Sequence, residues 1–201
     1  RERREEERER EGVPSFLNPP FLSLPRSPHP KRLLEVNPSG AVPVMKVLAD
    51  GAWIVGSDVI SDWFEEHYPE PRMGKAGDAP DAGGDVFPAF VAFLKAPAGA
   101  EGAEKEAALA DALARLGAWL TANGPFLGPG AGFGSGDAFL APRLHHMSVA
   151  LPHFKTGGWS WPAGSEPVRS YLDRVRALPA WKACAYGDDA VIAGWNRHLA
   201  H

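Results

Sequence analysis

The chain has 201 residues, 44% of them hydrophobic, enough to bury a core as one domain or two small ones. Its formal net charge of −4 leaves no electrostatic footprint for nucleic acid, and no apolar run approaches the ~18 residues of a membrane span. A single cysteine, Cys184, excludes a disulfide framework and a cysteine-rich metal site, so a soluble intracellular globular protein is expected.

Residues 1–11, RERREEERERE, hold five arginines, six glutamates and nothing that can pack, and residues 12–30 hold six prolines without periodicity. The sequence predicts an unstructured tail over 1–29, with no methionine at its start to fix a leader or a compartment. The densest signal follows at 37–71. Asn37-Pro38-Ser39-Gly40 is a turn, 41–47 alternates as a strand, Asp50-Gly51 turns again, and Trp53 to Val55 is a second strand. Ser57-Asp58 open a helix, Val59, Ile60, Trp63 and Phe64 recur at helical spacing, and Pro69 stops it. Pro43 falls where a strand would donate to its neighbour. The bond before it is either a trans link on a strand edge or a cis link that turns the N–H and C=O of Val42 outward, open to an extended peptide. A peptide carboxylate would suit the N-terminus of the Ser57 helix, where N–H groups point outward.

A Gly/Ala/Asp-rich connector leads to helical patterns that fill the rest of the chain. One stripe is Val86, Phe87, Phe90, Phe93 and Leu94; the next is Leu109, Leu113, Leu116 and Leu120, closed by Asn123-Gly124-Pro125. Leu140, Leu144, Met147, Leu151 and Phe154 form a third, which Pro142 should bend. Pro167 suits the first turn of a fourth helix carrying Val168, Tyr171, Leu172 and Val175. A short helix would hold Trp181 and Cys184, and Val191, Ile192 and Trp195 lie in the tail.

Taken on chemistry alone, few residues stand out. His145 and His146 are adjacent on a helix, point about 100° apart and cannot chelate one metal together. Cys184, between alanines, reads as a buried structural thiol. Trp195 reads as an anchor for the C-terminus. Asp137 could serve first-turn N–H groups, although Gly134 stands where a capping box needs serine or threonine.

The stretches NPSGAVPVMK, SDVI and EEHYPEP, followed by NGPF, FLAPRLHHMSVALPHFK, SYL and VIAGW, resemble the plant-type glutathione-dependent dehydroascorbate reductases of the glutathione transferase superfamily. The likeness is colinear over about residues 30–201. It implies an α/β thioredoxin-like N-terminal part, truncated here, over 30–72, a linker over 73–84 and an all-α glutathione-transferase C-terminal domain over 85–201. It implies a cis bond before Pro43, with the backbone of Val42 pairing with the cysteinyl part of glutathione and Ser57 holding its γ-glutamyl carboxylate. Pro43 and Asp58 are implied as shapers of the pocket, and His146 and Trp195 as residues near the glutathione and ascorbate site. Glutathione enters as co-substrate and dehydroascorbate as substrate, without a metal, in a monomer of cytoplasm or chloroplast.

The chain departs from that pattern in four places. Gly56 replaces an acidic residue, His29 and His198 replace lysines, and the first strand–helix–strand unit is missing, with its Cys-Pro-Phe-Ser nucleophile. That nucleophile is a thiolate activated at a helix N-terminus, and no catalytic residue is assigned in its place. Two functions follow as expectations: a dehydroascorbate reductase that is N-terminally incomplete, or a non-catalytic binding or assembly module of the same superfamily. A relative of the chloride intracellular channels, which share the fold, is less favoured by NPSGAVPVMK and VIAGW.

Overall fold

A computed structural model describes residues 31–70, 73–74, 84–155 and 157–200; the expected tail over 1–29, His29 and most of the 73–84 connector lie outside them. The chain divides into two compact units between Ile60 and Ser61.

Among the described residues, the first unit opens on α1 (Lys31–Val36). Asn37 then organises the turn that follows: its side-chain amide donates to the Ala41 carbonyl at 2.8 Å and its Oδ1 accepts from the Ser39 hydroxyl at 2.8 Å. Strands β1 (Val44–Lys46) and β2 (Trp53–Val55) pair antiparallel, with Val44 opposite Val55, Met45 opposite Ile54 and Lys46 opposite Trp53. Asp50 Oδ1 accepts from the Ala52 N–H at 2.9 Å and closes the hairpin. The first strand is shorter than the alternating 41–47 segment. Pro43 has no N–H to donate, and the Asn37 side chain already occupies the Ala41 carbonyl, so the ladder starts only at Val44. The Val42–Pro43 bond is cis. Helix α2 (Ser57–His67) follows and crosses the division between the units. Its apolar stripe has the expected period, yet none of its residues is buried: Val59 is 49% and Phe64 47% exposed.

The second unit is helical. It comprises α3 (Val86–Lys95), α4 (Ala100–Asn123), a 3-10 turn at Pro129–Ala131, α5 (Ser135–Phe154), α6 (Glu166–Ala177), α7 (Pro179–Cys184) and α8 (Asp188–Leu199). The four predicted stripes converge on one core in which Phe90, Leu109, Leu113, Leu116, Leu144, Met147, Leu151, Val168 and Tyr171 have no exposed surface. Each such side chain contributes about 1.5–3 kcal/mol on leaving water. Helix α5 continues through Pro142 and Pro152. Its start is pinned by the Met73 and Gly74 backbone: the Ser135 N–H donates to the Met73 carbonyl at 3.2 Å, and the Ser135 hydroxyl to that of Gly74. Only glycine fits the turn before it, since a Cβ on Gly134 would lie 2.6 Å from both Gly128 Cα and the Met73 oxygen.

Two expectations change here. Cys184 is exposed, not buried: α7 is only six residues long and reaches the core through Trp181, leaving the thiol in the last turn with its S–H toward the Ala180 carbonyl at 3.1 Å. The C-terminal segment is a full helix, not a tail. Val191 and Trp195, four residues apart, bury one face of α8, while Asp188 and Asp189 in its first turn and Arg197 and His198 in its last complement the helix dipole.

Candidate functional site

The expected site residues fall in two sets. Val42, Pro43, Ser57 and Asp58 belong to the first unit, His146 and Trp195 to the second.

In the first unit the Gly56 N–H donates to the Pro43 carbonyl at 3.1 Å, which holds the Val42–Pro43 step beside the opening turn of α2. Val42 is 73% exposed, and among the described residues no group takes its backbone N–H or C=O. An exposed backbone edge, bent at Val42, thus lies next to a helix N-terminus that begins with Ser57 and Asp58. Gly56, where the resemblance places an acid, has φ of 100°, a region that residues with a Cβ rarely adopt.

In the second unit α5 and α8 pack together and bring His146 to Trp195. The Trp195 indole N–H donates to His146 Nδ1 at 3.2 Å, and His146 Nε2 lies 2.5 Å from the Tyr186 hydroxyl. Phe90 meets the Trp195 ring edge to face at a centroid distance of 5.1 Å. His146, Tyr186 and Trp195, with Phe87, Val91 and His198, line a mainly apolar cleft of about 650 Å³. Neither Tyr186 nor this cleft was visible in the sequence pattern. Tyr186 lies in the three-residue link between α7 and α8, where no periodicity marks it.

His145 takes different hydrogen-bond partners, as the 100° step between neighbours allows, although its ring also meets that of Tyr186 edge to face at 6.1 Å. Its Nδ1 accepts from Arg176 Nη2 at 2.9 Å, the same nitrogen donates to Ser148 Oγ at 2.8 Å, and the imidazole meets the Trp181 ring edge to face at 5.4 Å. Among the described residues no cluster of three or more His, Cys, Asp or Glu side chains could hold a metal, and no helix is long and apolar enough to cross a membrane.

Both histidines are held below the ordinary imidazole range, His146 by burial and His145 by burial and then by the Arg176 charge. The unfolded chain therefore binds these two protons at a higher pH than the folded one. Their contribution to stability is full above about pH 6.5 and is lost as pH falls through the lowered native values. The expected slope is at most ~1.4 kcal/mol per pH unit for each histidine. Asp137 acts with the opposite sign in the acid range, because burial raises its carboxyl. Urea unfolding of the native chain and of a His145→Gln/His146→Gln variant across this range isolates the histidine part; equal slopes for the two would refute it.

The geometry can be set beside known proteins. Residues 20–72 match the family model described as glutathione S-transferase, N-terminal domain, a match that begins inside the segment expected to be a tail. The chain is 38% identical over 171 residues to glutathione S-transferase DHAR2 of Arabidopsis thaliana, covering 85% of this chain and 77% of that protein. It is 36% identical over 167 residues to the chloroplastic glutathione S-transferase DHAR3 of the same plant, covering 83% of this chain but only 62% of the relative, under two thirds of its length. The crystal structure of Chlamydomonas reinhardtii dehydroascorbate reductase superimposes with a TM-score of 0.73 at 42% identity, over 84% of this chain and 77% of that one. The hairpin with the helix that follows it, the helical unit and these identities lead to one statement: the chain belongs to the glutathione S-transferase family, in its dehydroascorbate reductase branch.

Proposed function

We propose that the chain binds glutathione and serves the glutathione-dependent reduction of dehydroascorbate. In that reaction two glutathione thiols give up two electrons and two protons, becoming one disulfide, while dehydroascorbate becomes ascorbate. The observation that carries the reading is the pairing of Gly56 N–H with the Pro43 carbonyl, which sets the open backbone of Val42 beside the Ser57 end of α2. Such an edge takes the main chain of an extended peptide, and the helix N-terminus takes its carboxylate. Pro43 shapes the edge and Asp58 its rim, while His146 and Trp195 form the polar floor of the aromatic cleft in the helical unit.

Calorimetric titration with glutathione tests the binding step. Ser57→Ala is expected to weaken affinity about tenfold or more, the usual loss for a hydrogen bond to a charged group. Val42→Ala should change it less than about twofold, because the backbone and not the side chain makes that contact. A native chain that takes up no glutathione overturns the reading.

A second reading, a binding module without turnover, is favoured by the position of Cys184. The only cysteine of the sequence sits in the last turn of a six-residue helix, not at the helix N-terminus where a thiolate nucleophile is activated. Coupled turnover of dehydroascorbate with glutathione separates the two readings, and Cys184→Ser should leave any turnover unchanged.

A further inference from the structure

The hydrogen bonds around His146 fix the direction of every proton in the group. Trp195 Nε1 can only donate, so His146 Nδ1 must accept from it. A neutral imidazole that accepts at Nδ1 carries its proton on Nε2, and that N–H therefore points at the Tyr186 oxygen, 2.5 Å away. The Tyr186 hydroxyl is left with its own proton, for which the described residues offer no acceptor. Tyr186 is 48% exposed and stands on the wall of the cleft formed with Phe87, Val91 and Trp195.

We propose that Tyr186 is a ligand-binding residue: oriented by the chain Trp195 to His146 to Tyr186, its O–H donates to an acceptor oxygen of a small, oxygen-rich acid held in this cleft. Its polarity is set from within the fold, since the buried indole N–H excludes the other histidine tautomer. The walls are mainly apolar, and the outward Tyr186 donor orients the guest. The choice of probes rests on the function proposed above. Ascorbate and glutathione both carry such oxygens, and separate titrations tell them apart.

The experiment uses the full chain, with the native protein and Tyr186→Phe titrated against ascorbate and against glutathione. The expected result is a loss of roughly 5- to 10-fold in affinity for one of the two, the effect of one neutral hydrogen bond. The ¹⁵N spectrum of the His146 imidazole should show the Nε2–H form in both proteins, which separates the lost donor from a disturbed fold. Equal affinities of the two proteins for both probes overturn the inference, as does an Nδ1–H imidazole in the native chain. If neither probe binds the native protein, the inference falls as well. A Tyr186-dependent affinity for ascorbate without glutathione-dependent turnover would uphold it while refuting the reductase reading.

Discussion

Replacing Asp137 by alanine is expected to destabilise the helical unit by about 3–4 kcal/mol, two stranded buried donors at 1–3 kcal/mol each. Asp137 has no exposed surface, and its carboxylate accepts from the Leu127 N–H at 3.0 Å through both oxygens and from the Gly134 N–H at 2.8 Å through Oδ2. It thereby ties the loop before α5 to the first turn of that helix, and α5 carries both His145 and His146. Gly134 has no side chain to reciprocate, so only the acidic half of a capping box is present. The Tyr171 hydroxyl is buried beside this carboxylate without an aligned partner among the described residues, and burial and the neighbouring charge push its ionisation up. Asp137→Asn keeps one oxygen that can serve both N–H groups, so its loss should be smaller, about 1–2 kcal/mol. In thermal unfolding the alanine variant should melt roughly 6–15 °C below the native chain. An alanine variant within about 1 kcal/mol of native would show that the loop finds other acceptors.

The Asp137 contacts also show what a sequence can reveal and what it cannot. The helical stripes were legible because a 3.6-residue period is local and the core that receives it has no other geometry to satisfy. Leu109, Leu113, Leu116 and Leu120, and likewise Val168, Tyr171, Leu172 and Val175, are buried as their spacing required. The hairpin was legible from Asp50-Gly51, and helix α2 from Ser57-Asp58 and Pro69. Contacts between distant segments were not. The acceptor role of Asp137 for Leu127 depends on a loop folding back over ten residues, and no propensity encodes that. Cys184 looked buried because alanines surround it, but α7 is too short to bury two faces.

The candidate site divides along the same line. Val42 and Ser57 stand close in sequence to the turn and the helix start that position them, so local chemistry was enough to single them out. His146 and Trp195 lie 49 residues apart and came forward only through resemblance to a family. Their partner Tyr186 had no signal of either kind. A side chain in a short link between helices is placed by the packing of both helices, and that packing is a property of the whole unit.

Trp195→Ala should cost about 3–5 kcal/mol, the range for truncating a buried aromatic residue. The ring is 7% exposed and is held edge to face by Phe90 at 5.1 Å and His198 at 5.3 Å. It joins α8 to the core together with Val191, so its loss leaves a void where the helix docks. Trp195→Phe separates packing from proton placement. It retains much of the apolar contact but removes the only N–H that fixes His146 Nδ1 as an acceptor, and should cost only about 1 kcal/mol. Its main effect should appear on the histidine: the two imidazole tautomers become comparable, and in the Nδ1–H form Nε2 accepts from Tyr186 instead of donating to it. The Tyr186 proton is then drawn inward, away from the cleft. Denaturant unfolding gives the two stability losses, and the imidazole ¹⁵N spectrum gives the tautomer populations. Equal losses for the two variants would remove the packing role. An unchanged Nε2–H form in the phenylalanine variant would mean that something other than the indole sets the direction of the chain that ends at Tyr186.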